Sequence, residues 1–248
     1  MSLLNAAERF ASIDRSQIIL DRDRCLHSQN QHSECDACFD LCPVQAITFG
    51  KPPTLNEEHC QSCLACLPAC PVGAYHADDD VADLLTCITH IEEQPVEIVC
   101  RQHPHPETGV DPEAIGILIR GCLAGLGTGA LLALSTSGLK QIILRTDSCS
   151  SCEWKPLYPV IHRQMEKATR FLSARDNDVS ITCVDEIESP AERTLWRVKN
   201  PPLSRRDLFR MISRQGQVAL ARAMENGTMI TERKPGRDRL RLLSAVSH

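Results

Sequence analysis

The two cysteine runs of this chain constrain its fold more than any other feature. Cys60-Gln-Ser-Cys63-Leu-Ala-Cys66-Leu-Pro-Ala-Cys70-Pro71 sets four thiols at spacings of two, two and three residues and closes them with a proline. A widened copy lies upstream, Cys25-x9-Cys35-Asp-Ala-Cys38-Phe-Asp-Leu-Cys42-Pro43, in which nine residues separate the first two cysteines. Pro43-Val-Gln-Ala46 follows one run and Pro71-Val-Gly-Ala74 the other, so the text is duplicated and a pseudo-twofold arrangement is expected. Thiols so grouped either cross-link or bind a soft metal. The first residues, Met1-Ser-Leu-Leu-Asn-Ala-Ala-Glu-Arg-Phe10, lack the cationic start, apolar stretch and small-residue cleavage site of an export signal. They read as a short amphipathic helix within residues 1–19. A reducing, cytoplasmic setting is therefore expected, and there grouped cysteines are more often metal ligands than disulfides. With 14 cysteines against 4% aromatic residues, thiolate is what this sequence holds in excess.

The unbroken run matches the ligand spacing of iron–sulfur cubes. Three thiolates on a tight loop hold three corners of an Fe4S4 cluster, and the fourth cysteine points away to serve another. Zinc ribbons also use Cys-x2-Cys pairs, yet eight ligands closed twice by Cys-Pro form a pattern that zinc does not require. Over residues 20–78 the chain resembles the two-cluster bacterial ferredoxin family. The resemblance implies a β-hairpin-and-helix fold with two [4Fe-4S] clusters and crossed ligation. Cys25, Cys35, Cys38 and Cys70 would hold one cluster, and Cys60, Cys63, Cys66 and Cys42 the other. The nine-residue insertion departs from the family pattern. It makes Cys25 the least regular ligand, and it leaves His27, His32 or solvent as alternatives for completing an altered first cluster.

A different pattern begins after Asp78-Asp-Asp80, with a helix expected from Val81 to about Glu93. Val96-Glu-Ile-Val-Cys100, Gly116-Ile-Leu-Ile-Arg120, Gln141-Ile-Ile-Leu144 and Val179-Ser-Ile-Thr-Cys183 read as short buried strands. Helices near 124–137 and 157–174 separate the later strands, which predicts a small parallel sheet with right-handed crossovers. Cys100, Cys122, Cys149 and Cys152 all fall at carboxyl ends of those strands, the edge where ligands gather in open parallel sheets. Four thiolates there, two of them as Cys149-Ser-Ser-Cys152, suit a [2Fe-2S] cluster; another [4Fe-4S], a zinc ion, a redox dithiol or simple burial are the alternatives. From Ile117 to Cys152 the text resembles the iron–sulfur delta subunit of methyl-viologen-reducing hydrogenases, a likeness that spans residues 95–155. That resemblance implies a [2Fe-2S] domain relaying electrons to a heterodisulfide-reductase-type flavoprotein. A single Cys100 departs from the more cysteine-rich text expected at that place. Cys87 and Cys183 read as core residues, and His103 and His105 as part of an exposed, proline-stiffened loop.

Near the C-terminus the charge changes sign. Residues 199–241 hold 11 Lys or Arg against 4 Asp or Glu, a net +7 in a chain of formal charge −5, which leaves −12 on the rest. Ser204 offers an N-cap, and Leu208, Met211, Ile212, Gln215, Val218 and Ala219 mark one face of an amphipathic helix. Such a helix can lie in a partner's groove while its arginines steer it to an acidic surface; packing on its own domain is the alternative. Ser204-Arg-Arg-Asp-Leu-Phe-Arg210 imitates a twin-arginine signal but stands far from the N-terminus without an apolar core. Similar Ser-Arg-Arg text occurs in accessory ferredoxins of molybdenum reductases. The acidic body speaks against nucleic-acid binding. Cys122 to Leu139 is free of charge, but Gly125, Gly127, Gly129 and Gly138 make it a turn and buried helix rather than a membrane span.

The sequence thus predicts an α+β ferredoxin-like two-cluster domain over 20–80, a small α/β parallel-sheet domain with a third metal centre over 81–190, and a basic helical docking tail over 191–248. It contains no Gly-rich dinucleotide fingerprint, P-loop or nucleophile motif. The expected role is the relay of single electrons within a larger redox complex, the partner being a flavoprotein, hydrogenase, heterodisulfide-reductase-like protein or molybdenum enzyme. A redox-sensing or dithiol protein built on Cys149 and Cys152, and an assembly chaperone for a metalloenzyme, are the alternatives.

Overall fold

The computed structural model describes residues 17–199, apart from residues 79, 92, 93, 176 and 177. The helix expected at the N-terminus lies outside the described residues through position 16, and Ile19 opens a strand instead. The basic segment from 200 onward, with its expected docking helix, also lies outside them.

Residues 17–78 form two similar halves. Strand β1 (Ile19–Leu20) runs antiparallel to β4 (Tyr75–His76), and β2 (Ile47–Thr48) antiparallel to β3 (Thr54–Leu55). Between them stand three short helices, α1 (Leu26–Gln29), α2 (Ala37–Leu41) and α3 (Cys66–Ala69). Two-residue hairpins are not stable alone and need a shared apolar centre. Here Ile18, Ile47, Leu64, Leu67 and Tyr75 supply it, with Cys38, Cys42, Cys60 and Cys70 packed against them. The duplication shows in the backbone: the Asn56 amide donates to the Ala46 carbonyl and the Asp21 amide to the Ala74 carbonyl, both at 2.8 Å.

The chain then builds a sheet. Helix α4 (Asp80–Ile88) leads to β5 (Val96–Cys100), β6 (Thr108–Gly109), β7 (Ile115–Ile119), α5 (Gly127–Ser135), β8 (Gln141–Arg145), α6 (Tyr158–Ser173), β9 (Ser180–Val184), β10 (Ala191–Glu192) and β11 (Leu195–Arg197). Five strands lie parallel in the order β11-β7-β5-β8-β9, and β6 pairs with β10. The continuous apolar runs follow from burial on both faces, as parallel sheets require; every residue of β5 is buried. From β5 the chain goes to β7 on one side and then across to β8 on the other, so the carboxyl ends of β5 and β8 flank the switch point of the sheet.

Three expectations need correction. Helix α4 stops at Ile88 rather than near Glu93. The sheet does not end at 190, because Leu195–Arg197 forms an edge strand beside β7; three residues carry too little pattern to read as a strand without that neighbour. The division at 80 marks a change of element type rather than a break, since the described residues belong to one compact unit. At the junction Gly125 comes so close to the other region that an added Cβ would lie 2.9 Å from the Leu64 Cβ and 3.2 Å from the Cys63 carbonyl oxygen. The buried Asp80 carboxylate accepts the amides of Arg120 at 2.7 Å and Gly121 at 3.1 Å, setting the loop that carries Cys122. Among the described residues no helix is long and apolar enough to cross a membrane; the charge-free stretch becomes the nine-residue α5.

Candidate cluster sites

Two small cavities lie between the two halves of the first region. Cys42, Cys60, Cys63 and Cys66 line one, with Ile18, Ile47 and Leu55 among their neighbours. Cys25, Cys35, Cys38 and Cys70 line the other, together with His27 and Tyr75. Each cavity therefore takes three thiols from one run and the fourth from the other. Local backbone geometry produces this. After Cys42 and Cys70 the chain passes through a left-handed residue, Gln45 (φ 52°) or Gly73 (φ 59°). The next amide turns back onto the cysteine: Ala46 donates to the Cys42 Sγ at 3.3 Å and Ala74 to the Cys70 Sγ at 3.2 Å. Ser62 (φ 54°) and Leu64 (φ 65°) wind the loop between Cys60 and Cys66. Such conformations cost of order 1–3 kcal/mol each and persist only where their surroundings enforce them.

Burial dominates the electrostatics of these thiols. It pushes Cys63 up to about 11, aided by the nearby Cys42 and Cys60, and it raises Cys66 further. It also raises Cys38, against the opposing influence of the Tyr75 hydroxyl. Thiols held this way stay protonated unless a metal's positive charge ionises them. Among the described residues, the buried Tyr75 hydroxyl and His27 Nδ1 at the Cys38 cavity meet no hydrogen-bond partner of good geometry. His27 bonds through Nε2 to the Cys35 carbonyl at 2.6 Å; a carbonyl only accepts, so Nε2 is the donor. His32 is exposed and is not among the lining residues. Four thiols, amide donors aimed at sulfur and a mainly apolar lining fit an Fe4S4 cluster in each cavity.

The four later cysteines stand at or just past the carboxyl ends of β5, β7 and β8, although among the described residues no group of three or more His, Cys, Asp or Glu side chains is close enough to hold a single metal ion. Cys100 ends β5, Cys122 follows β7, and Cys149 and Cys152 bracket a 3-10 turn after β8. They lie close enough to perturb one another. Burial, then Cys100 and Cys152, pushes the Cys149 thiol up to about 12. Burial likewise brings Cys100 to about 11 and Cys122 well above the ordinary range, with Cys100, Cys63 and Cys149 adding to the latter. The group abuts the loop of the Cys63 cavity. The Cys122 amide donates to the Cys63 carbonyl at 3.0 Å, and Trp154 Nε1 donates to Gln61 Oε1 at 2.6 Å. Arg101 donates to the Gln61 carbonyl and lies 5.2 Å over the Trp154 ring, while the Trp154 amide donates to the Cys152 Sγ at 3.3 Å.

Beside this group lies a buried ion cluster that sequence reading missed. Glu97 on β5 is fully buried and accepts from Arg145 at 3.2 Å, from Arg193 at 3.0 Å and from the Val110 amide at 2.9 Å. Arg145 also pairs with Asp147 at 2.8 Å. Burial alone would raise the Asp147 carboxyl, but hydrogen bonds from His103 and Arg145 override it and hold it well below the usual carboxylate range. His103 is thus a buried member of this cluster, 3.0 Å from Asp147, and not part of an exposed loop; His105 is exposed. The available signal was Glu97 itself, a carboxylate inside the apolar run Val96-Glu-Ile-Val. Cys87 is fully buried, and Cys183 packs against the same sheet core with its thiol pushed by burial to about 11.

Residues 31–74 match the family of 4Fe-4S dicluster domains, a match that begins beyond Cys25. Over 48 residues the chain is 42% identical to a ferredoxin of Saccharopolyspora erythraea and, to the same extent, to a ferredoxin of Mycolicibacterium smegmatis. Each alignment covers 19% of this chain and 45% of the relative, so the chain spans about half the length of the curated ferredoxins it matches. No solved structure matches it. The chain contains a 4Fe-4S dicluster ferredoxin domain, and the sheet region stands outside that family match.

Proposed function

We propose that this chain is an iron–sulfur electron carrier that passes single electrons between protein partners in a redox complex. The observation that carries this reading is the exchange of the fourth thiol between the two cysteine runs, three plus one around each cavity. Cys25, Cys35, Cys38 and Cys70 hold one [4Fe-4S] cluster, and Cys42, Cys60, Cys63 and Cys66 the other. Such clusters supply one-electron chemistry. The protein's own part is to hold them, to exclude water with Ile18, Ile47, Leu55 and Tyr75, and to aim the Ala46 and Ala74 amides at sulfur.

Cys100, Cys122, Cys149 and Cys152 hold a further, two-iron [2Fe-2S] centre. This rests on their common place at the carboxyl ends of β5, β7 and β8, with Trp154 and Arg101 bonded to Gln61 beside them. The partners are redox subunits such as a flavoprotein, hydrogenase, heterodisulfide-reductase-like protein or molybdenum enzyme, and the basic segment 199–241 supplies the charge to dock on an acidic surface.

Iron and acid-labile sulfide per chain, measured on anaerobically purified protein together with EPR after reduction, test this reading. About ten of each is expected for two cubes and a two-iron centre. About eight removes the third centre alone, and zinc in place of iron overturns the whole.

A further inference from the structure

The two halves of the ferredoxin region share a backbone pattern but carry different buried side chains after the repeated alanine. Ala46 and Ala74 hold equivalent places: each amide donates to the sulfur of Cys42 or Cys70, and each carbonyl accepts an amide at 2.8 Å. The residue that follows is Ile47 in one half and Tyr75 in the other, both opening a two-residue strand. Ile47 lines the Cys63 cavity and Tyr75 the Cys38 cavity. Tyr75 is only 2% exposed, and among the described residues its hydroxyl meets no hydrogen-bond partner of good geometry.

A buried phenol without an acceptor costs about 1–3 kcal/mol. Phenylalanine would fill the same space without that cost, so the hydroxyl implies an acceptor that arrives with the cluster. The Cys38 thiol lines the same cavity as Tyr75 and packs against the buried apolar cluster to which Tyr75 belongs. A thiolate bound to iron is a far better acceptor than a protonated thiol, because it carries charge and no proton of its own.

We propose that Tyr75 is a potential-setting residue: its hydroxyl donates to the iron-bound Cys38 sulfur and raises the reduction potential of that centre, which separates it from its pseudo-symmetric twin. The role rests on the cluster reading above. Reduction adds one negative charge to the cluster, and a donor at a ligand sulfur stabilises the more negative state. Ile47, at the equivalent place, has no hydrogen to give. Two centres that a duplicated backbone would make alike are thereby set apart in their hold on the electron.

The test is an EPR-monitored redox titration of the full chain and of Tyr75→Phe, which keeps the ring and removes only the hydroxyl. Iron content is measured on both to show equal loading. One four-iron potential is expected to fall by the equivalent of a three- to tenfold change in the reduction equilibrium, about 30 to 59 mV for one electron, while the other stays. Two fully loaded centres with unchanged potentials overturn the role of Tyr75 and leave the cluster reading intact. An equal fall in both potentials also overturns it, since one hydroxyl on one sulfur cannot move both. Native protein without two four-iron signals overturns the cluster reading and this role with it.

Discussion

The Cys122 amide donates to the Cys63 carbonyl at 3.0 Å, so the two residues are joined by one backbone hydrogen bond although 59 positions of chain separate them. Cys63 lines a cavity between the two cysteine runs, and Cys122 belongs to the group at the sheet edge. The bond therefore ties the two kinds of site together. It exists because Gly121 and Gly125 let the loop after β7 approach Leu64 without a side chain between them.

Gly125→Val tests that approach. Its Cβ would meet the Leu64 Cβ at 2.9 Å, a rigid part of the neighbour rather than a flexible tip. Overpacking of this kind costs about 1–3 kcal/mol. Urea unfolding followed by cluster absorbance should show a lower midpoint than in the native protein, and an unchanged midpoint would refute the close contact.

Crossed ligation makes a pairing of variants predictable. Cys70→Ala should leave the same residual EPR spectrum as Cys38→Ala, and Cys42→Ala the same as Cys63→Ala, each with about four irons fewer if the damaged cube is lost. If Cys70→Ala instead resembles Cys63→Ala, each run serves its own cluster and the exchange is wrong.

The third centre is tested by Cys149→Ser combined with Cys152→Ser. Iron should fall by about two per chain while both four-iron signals persist. Equal iron in the variant and the native protein would leave these cysteines as packed thiols.

Glu97→Gln removes the charge that two buried arginines share. Breaking one partner out of a buried ion cluster typically costs 3–5 kcal/mol, because the remaining charge is left uncompensated. Urea denaturation should show a loss of about that size, against less than about 0.5 kcal/mol for Glu188→Gln on the exposed surface. A small loss at Glu97 would mean that the cluster is hydrated or rearranges.

The cysteine runs, the internal duplication and the parallel strands were legible because each is local. A spacing of two, two and three residues, or a run such as Ile115–Ile119, states its own chemistry within a turn or a strand. His103 shows the limit. Two prolines nearby made its loop read as exposed, yet Asp147 and Arg145 draw the imidazole inside. Leu195–Arg197 shows it again, a strand only because β7 offers an edge.

By itself the sequence determined how the cysteines are grouped along the chain, where one kind of element pattern gives way to the other, and which strand ends carry thiols, because periodicity and spacing are written along the chain. Only the tertiary structure decided that Gly125 packs against Leu64, that His103 turns inward to Asp147, and that Glu97 meets Arg193 at a separation of 96 residues. Those relations depend on loops closing and surfaces packing across long stretches of chain, and no local pattern encodes which distant partner will arrive.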